Sequence, residues 1–101
     1  MSGLLGLIGL GFRGGRIVVG VDGVRKELQA GKCWCVVVAE DASPRAIDKV
    51  VRLATAKGVP LLPGPSAEAI GAQLGKPPVM AVGVRDRALA GGMVQLAPVR
   101  S

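Results

Sequence analysis

An unbroken apolar run near the middle of the chain constrains the fold more than any other feature. Residues 34–39 read Trp-Cys-Val-Val-Val-Ala, with no charged residue among them. A strand covered on both faces has this pattern, whereas a strand with one face in water alternates apolar and polar residues. Ser43 and Pro44 follow and form a strong helix start, an N-cap residue with proline in the first helical position. A buried strand followed by a helix indicates a layered α/β fold.

Strand and helix signals alternate along the rest of the chain, separated by glycine and proline. Short apolar or β-branched runs predict further strands at residues 17–19, 59–62 and 79–84. Apolar spacing and capping residues predict helices at residues 4–13, 22–30 with Asp22 as the N-cap, 44–57, 66–74 and near 88–90. This alternation predicts an α/β fold, a three-layer α/β/α sandwich around a mixed sheet of roughly four strands.

The length and composition fit one domain over residues 1–101. Half of the 101 residues are hydrophobic and the mean hydropathy is +0.46, which is typical of a packed core and not of a disordered chain. We find no internal repeat, linker or low-complexity segment. The tail, residues 93–101, contains Pro98 and is predicted to be loose.

The absence of histidine and the presence of only two cysteines exclude several functional classes. Without histidine there is no Ser-His-Asp triad, no histidine general base and no His-Cys zinc site. Cys33 and Cys35 lie in a strand-like run, so we expect them to point to one sheet face as small hydrophobic residues. A redox pair or a metal site is the alternative, but no other Cys or His could complete a ligand set. We therefore predict no catalytic residue, metal or cofactor.

The apolar N-terminus does not have the features of a targeting signal. No basic residue precedes Arg13, no small-residue cleavage site follows, and the apolar run is too short to span a bilayer. We therefore expect a cytoplasmic protein with no membrane partner.

Residues Gly9 to Gly14 match the G-x-G-x-x-G pattern of dinucleotide-binding folds. In those folds the glycines follow a strand and open a helix. Here they precede the strand predicted at residues 17–19, and no acidic residue lies about twenty positions after Gly14. A nucleotide-binding protein that uses the run Gly9–Gly14 is therefore a less favoured alternative.

From Leu7 to about residue 91, short motifs occur in an order that points to a known family. They include Val18-Val19-Gly20, the turn Gly31-Lys32, the strand end Val38 to Pro44, Gly58-Val59-Pro60 and the segment Ile70 to Lys76. This order resembles the kink-turn RNA-binding ribosomal-protein family, which includes archaeal and eukaryotic large-subunit proteins and small stand-alone bacterial relatives. The resemblance implies the same three-layer sandwich and binding of a bent, internally looped RNA without catalysis.

The resemblance places the first part of an RNA surface at the start of the second helix. The family pattern is Gly, any, Asn, Glu, any, any, Lys, so Gly20 and Lys26 match while Asp22 and Gly23 depart. The family glutamate accepts hydrogen bonds from a guanine edge, which Gly23 cannot do. Asp22 could accept them instead, although it would repel phosphates, or it could be only an N-cap. Arg25 and Lys26 would contact the RNA backbone.

The second and third parts of the implied surface follow the central strand and the fourth helix. Ser43 and Ile47 match family positions that flank the bulged nucleotide; the alternatives are that Ser43 only caps a helix and that Ile47 is only a core residue. The third part comprises Lys76, Pro77 and Pro78. Family members present a small apolar residue to an extruded base there, so lysine suggests weaker base readout and stronger attraction for phosphate.

The charge of the chain agrees with a polyanionic partner. The 13 basic and 7 acidic residues give a net charge of +6, and half of this excess lies in residues 1–32. We therefore expect the positive charge on the face of the second helix and the loop after Gly75. Two aromatic residues, Phe12 and Trp34, are too few for a base-stacking platform.

The sequence thus predicts an RNA-binding, ribosome-associated protein. Its expected partner is a structured RNA, ribosomal or another, with a kink-turn or related internal loop, and no small-molecule substrate is expected. The alternative is a protein-interaction module of the same fold whose RNA recognition is eroded at Asp22 and Gly23.

Overall fold

Strands and helices alternate along the chain in the computed structural model, which describes residues 3–96. The elements, in chain order, are α1 (Gly3–Arg13), β1 (Ile17–Val19), α2 (Val21–Gln29), β2 (Cys35–Val38), α3 (Pro44–Ala56), β3 (Leu61–Pro63), α4 (Ala67–Leu74), β4 (Ala81–Val84) and α5 (Arg87–Leu96). Each predicted strand and helix is therefore present.

The four strands form one mixed sheet in the order β1-β4-β2-β3. Strand β4 is antiparallel to both of its neighbours, with Val84 opposite Ile17 of β1 and opposite Cys35 of β2. Strand β2 is parallel to β3, with Val36 opposite Leu61. The predicted mixed, four-stranded sheet is confirmed.

Helices cover both faces of this sheet. Buried residues of α1, α4 and α5 cluster with Val37 and Val82 on one face. Buried residues of α2 and α3 cluster with Val36 and Val38 on the other. All four residues of β2 are buried, because its side chains alternate between two cores. The run that predicted a doubly covered strand thus lies at the centre of a three-layer sandwich.

Several predicted boundaries are wrong. Helix α2 begins at Val21 with Gly20 as its N-cap, so the N-cap prediction for Asp22 is incorrect. Strand β3 lies one or two residues later than predicted. Helix α5 is longer than predicted and runs to Leu96, with Met93 fully buried. Residues 93–96 are therefore helical rather than loose, while the rest of the predicted tail, residues 97–101, lies outside the described residues.

The two cysteines do not share a sheet face, which corrects the prediction. Cys35 is buried in the core under α1, α4 and α5, whereas Cys33 is buried in the core under α2 and α3. Cys33 precedes β2, and its thiol donates to the Cys35 carbonyl at 3.2 Å, so the alternation of an extended strand does not reach it. Both thiols are free. Within residues 3–96, no three His, Cys, Asp or Glu side chains are grouped to hold a metal ion.

The run Gly9–Gly14 ends a helix instead of opening one. A Cβ atom added to Gly9 would lie 2.8 Å from Nε2 of Gln73, and one added to Gly11 would lie 2.5 Å from Cδ2 of Leu89. These glycines allow α1 to pack closely against its neighbours, so the arrangement does not match a dinucleotide fingerprint. None of the helices within residues 3–96 is both long and apolar enough to cross a membrane.

Candidate nucleic-acid interface

The sheet topology brings the three predicted parts of the site to one edge. Strands β1, β2 and β3 run in one direction and β4 runs in the other. The ends of β1–β3 therefore meet the beginning of β4 at the same edge. We call this the upper edge and assign to it residues 20–26, 39–45, 64–68 and 75–80. It holds all the predicted site residues except Ile47, which lies one turn further along α3.

Hydrogen bonds between loops hold the upper edge together. They join Gly20 N to Ala81 O at 2.9 Å, Ala39 N to Met80 O at 2.8 Å, Glu40 N to Pro65 O at 3.1 Å and Ala67 N to the Asp41 carboxylate at 2.8 Å. Four segments that are distant in sequence are thus fixed relative to one another. A surface of this kind is organised before a ligand binds, which lowers the entropy cost of binding.

The start of α2 presents a glycine, a carboxylate and a lysine. Gly20 has φ = 94°, a left-handed conformation that favours glycine, and its carbonyl accepts from the Val24 amide at 3.0 Å. The Asp22 side chain is 91% exposed and lies 3.6 Å from the Arg25 guanidinium. Since Asp22 is not the N-cap, its carboxylate is open to a ligand. Lys26 is also exposed, whereas Arg25 is partly buried.

Residue 23 lies where strand β1 leaves no room for a side chain, and it is a glycine. A Cβ atom at this position would lie 2.6 Å from Cγ1 of Val18. Where the family has a glutamate, this chain has Gly23. The side chain of Val18 occupies the space that the glutamate Cβ atom would need. Restoring a glutamate there would require Val18 to move.

Ser43 and Ile47 differ in their availability. Ser43 is the N-cap of α3, but its side chain makes no capping hydrogen bond and the residue is exposed. Its hydroxyl is therefore available to a ligand. Ile47 is only 4% exposed and belongs to the core under α2 and α3. Its remaining surface lines a shallow cavity of about 230 Å³ with Ala42 and Pro44.

The loop after α4 is pressed against that helix. Gly75 ends α4 with φ = 68°, and the Lys76 amide donates to the Gly71 carbonyl at 2.8 Å. Lys76 Nζ lies 5.5 Å from the centre of the Phe12 ring, a cation–π contact that orients the lysine. Pro77 is exposed, as is Pro78.

Sequence reasoning missed two residues near this loop. Phe12 lies 64 positions before Lys76, and no local signal links them. Met80 follows the two prolines and is 37% exposed, which extends the apolar surface of the loop. Its exposure could not be read from an apolar strand signal at residues 79–84.

The upper edge is not the basic end of the molecule, contrary to expectation. It has four basic residues (Arg25, Lys26, Arg45, Lys76) and four acidic residues (Asp22, Glu40, Asp41, Glu68). The opposite end, the lower edge, comprises residues 13–16, 27–34, 55–60 and 85–87. It has six basic residues (Arg13, Arg16, Lys32, Lys57, Arg85, Arg87) and two acidic residues (Glu27, Asp86). The charge excess counted over residues 1–32 did not indicate its place in the structure, because this part of the chain contributes residues to both edges.

Comparison with known proteins identifies the family. Residues 6–90 match the model of the ribosomal protein L7Ae/L30e/S12e/Gadd45 family. The chain belongs to this family. The match runs from within α1 to the first turn of α5 and so includes every segment of the upper edge. The resemblance to kink-turn RNA-binding ribosomal proteins is confirmed.

Relatives of this L7Ae-family chain include two bacterial proteins. It is 32% identical to RNA-binding protein YlxQ of Bacillus subtilis over 95% of this chain and 98% of the relative. It is 39% identical to RNA-binding protein GWCH70_0105 of Geobacillus over 60 residues, which are 59% of this chain and 73% of the relative.

Two solved structures have the same L7Ae-family fold. A Bacillus halodurans protein of unknown function superposes with a TM-score of 0.88 at 23% identity, over 95% of this chain and 97% of the other. The 15.5 kD RNA-binding protein of Giardia lamblia superposes with a TM-score of 0.77 at 26% identity, over 91% and 78%. The first supports the fold alone.

Proposed function

We propose that this protein binds RNA at the upper edge and recognises a kink-turn or related internal loop, without catalysis. The observation that supports this most is the placement of three segments at the same end of the sheet: residues 20–26 follow β1, residue 43 follows β2, and residues 76–78 precede β4. They are the three parts of the family's RNA surface. The two relatives named as RNA-binding proteins are consistent with this proposal.

The upper edge has groups for both phosphates and bases. Helix α2 begins there with no side-chain cap, and the free N–H groups of such a helix N-terminus attract phosphate oxygens. Lys26 and Lys76 add positive charge for the RNA backbone. The Asp22 carboxylate can accept hydrogen bonds from the donors of a guanine edge, while the Ser43 hydroxyl can donate or accept.

The upper edge has no net charge, which indicates that shape rather than electrostatic attraction contributes most to RNA binding there. Four acidic residues offset four basic ones, so long-range attraction contributes little at this edge. Recognition would then depend on the fit between a preorganised surface and a sharply bent RNA. We expect a preference for the bent loop over a regular duplex, rather than strong binding to any RNA.

A gel-shift comparison tests this function. The probes are a kink-turn duplex and the same duplex without its sheared G·A pairs, which are required for the bend. We expect clear preference for the first probe, reduced by Lys26→Ala and changed much less by Lys49→Ala, since Lys49 lies on α3 outside the segments of the upper edge. Asp22→Asn should raise affinity for both probes, because it removes a negative charge near phosphates while its amide oxygen still accepts a hydrogen bond from a guanine edge. Equal binding to both probes by the unaltered protein would contradict kink-turn recognition.

A protein-interaction role is the second candidate, and the four carboxylates of the upper edge favour it. Failure of both RNA probes to bind at moderate salt would support this alternative. If the RNA is ribosomal, the protein is cytoplasmic and ribosome-associated, and it should sediment with ribosomal subunits in a sucrose gradient. Sedimentation only at the top of the gradient would argue for another RNA.

A further inference from the structure

The lower edge combines most of the net charge with the only tryptophan of the chain. Its six basic residues against two acidic ones form the most positive part of the described chain. Hydrogen bonds place the segments next to one another: the Trp34 amide donates to the Val84 carbonyl at 2.8 Å, and the Arg85 amide donates to the Arg16 carbonyl at 2.8 Å. Arg16 and Arg85 are therefore near the tryptophan in space.

Trp34 is exposed although it adjoins a fully buried strand. Half of its surface is accessible, and Arg87 lies over its ring with Cζ 5.7 Å from the ring centre. A large aromatic residue that is left half in water offers a flat apolar surface to a partner. The guanidinium lies over one face of the ring, so a base would stack on the other face, and Arg87 would hold one positive charge near the phosphates next to that base.

A cavity opens beside this ring. It has a volume of about 510 Å³, within the usual range for small-ligand sites, and Leu28, Val59 and Pro60 form its apolar wall. Gly31 and Gly58 follow the ends of α2 and α3 and also line it. Most of the last carbonyls of the two helices already accept from loop amides, such as those of Gly31 and Gly58, so they are not free acceptors for a base. The apolar wall of the cavity instead suits the flat face of a base, while the surrounding basic residues suit phosphates.

We propose that the lower edge is a second RNA contact, where an unpaired base stacks on Trp34 beside this cavity and flanking phosphates meet Arg87, Lys32 and Lys57. This inference extends the proposed RNA function to the opposite end of the molecule. Among polyanions, RNA has both features that the lower edge matches, a phosphate chain and flat bases. The protein would then contact a bent loop and a single-stranded segment at once.

The fluorescence of Trp34 reports directly on this contact, because the chain has no other tryptophan and no tyrosine. The probe is an oligoadenylate of about eight nucleotides, within the usual site size for single strands. We expect saturable quenching by this probe and none by inorganic polyphosphate, which has charge but no bases. Arg87→Ala and Lys32→Glu should weaken the quenching several-fold, while Lys49→Glu, a matched charge reversal outside the lower edge, should change it much less.

Anisotropy of a labelled oligoadenylate provides a second measurement. Trp34→Ala should reduce affinity by about tenfold, and Trp34→Phe by less, because base stacking on an aromatic ring is lost in the first and retained in the second. Circular dichroism of both variants checks that they fold. Equal affinity of all three proteins would overturn the proposal.

Other outcomes also decide the matter. Absence of quenching, or equal quenching by polyphosphate, would overturn the stacking contact, as would a response to polyglutamate or anionic vesicles without one to the oligonucleotide. The two functions are separable, since kink-turn preference depends on Lys26 and oligoadenylate quenching depends on Trp34. Loss of kink-turn preference with intact quenching would refute only the upper-edge function, and the reverse result would refute only the lower-edge contact.

Discussion

At the scale of single residues, close approach of backbone to backbone explains one glycine of α4. A Cβ atom at Gly71 would lie 2.3 Å from the Pro77 carbonyl oxygen and 2.8 Å from the Lys76 carbonyl oxygen. Both are backbone atoms, so no side-chain rotation could relieve the overlap. The position of Lys76 and Pro77 on the upper edge therefore depends on the absence of a side chain at residue 71.

The substitution Gly71→Ala should destabilise the protein by about 1–3 kcal/mol, the usual cost of overpacking. It should also displace the loop and weaken kink-turn binding. Gly91→Ala is the matched control, because residue 91 is also helical and nothing lies within 4 Å of its added Cβ atom. That change should stabilise by about 0.5–1 kcal/mol through the lower helix propensity of glycine. Urea unfolding measures both, and equal stability of the two variants would show that the loop yields freely.

A buried thiol gives a prediction for alkaline pH. Burial, with a smaller contribution from Cys33, raises the pKa of Cys35 from 9.0 to about 12. The unfolded chain therefore releases this proton before the folded chain does. The Cys35 contribution to stability is complete below pH 9 and is lost as the pH rises toward 12.

Unfolding free energies of the wild type and Cys35→Ala should reveal this dependence. We expect the alanine variant to be less stable at pH 7 because a buried atom is removed, and the difference between the two proteins should shrink from pH 9 upward. A difference that stays constant to pH 11 would mean that Cys35 is not protected in the folded state. Cys33, whose pKa is also raised by burial, is present in both proteins.

At the scale of elements, two serines with the same sequence signal have different roles. Ser43 and Ser66 are both helix N-caps, as predicted. The Ser66 hydroxyl accepts a hydrogen bond from the Ala69 amide at 3.1 Å, whereas the Ser43 side chain makes no capping bond. Pro44 already occupies the first position of α3, where it fixes the backbone and has no N–H to satisfy.

We therefore expect Ser66→Ala to cost about 1 kcal/mol and Ser43→Ala to cost much less. Thermal and urea unfolding of the two single variants make the comparison. For RNA affinity we expect the opposite order, with the larger loss in Ser43→Ala. The Ser43 hydroxyl makes no capping bond and is available to the proposed RNA ligand. A larger stability loss for Ser43→Ala would show that its hydroxyl does cap α3.

The sequence predicted helices and strands well where apolar patterning and capping residues indicate the same boundaries, as in β2 and α3. It failed where a boundary is set by contacts with residues distant in sequence. The length of α5 depends on Met93, which is buried in the core shared with α1, and a Gly-rich segment gave no sign of that contact. The start of α2 depends on Gly20, which is hydrogen-bonded to Ala81 across the sheet. The separation of Cys33 from Cys35 arises because the strand begins only at Cys35.

At the scale of the whole molecule, the assembly of the predicted site could be anticipated from the order of motifs, whereas the distribution of charge could not. The order of strands brought the predicted site together, since the family motifs lie at the ends of β1 and β2 and before β4. The distribution of charge could not be read in the same way, because consecutive residues lie at opposite edges. The net charge of +6 predicted a polyanion, yet its largest part lies at the lower edge.

We propose that the upper edge recognises the bent loop of an RNA. Amide chemical shifts of the labelled protein, followed during titration with a kink-turn duplex, test this claim residue by residue. We expect the largest changes at Gly20 to Lys26, at Ser43 and at Lys76, with α5 unaffected. Unchanged amides at those positions, with changes confined to α5 or to the lower edge, would contradict the account.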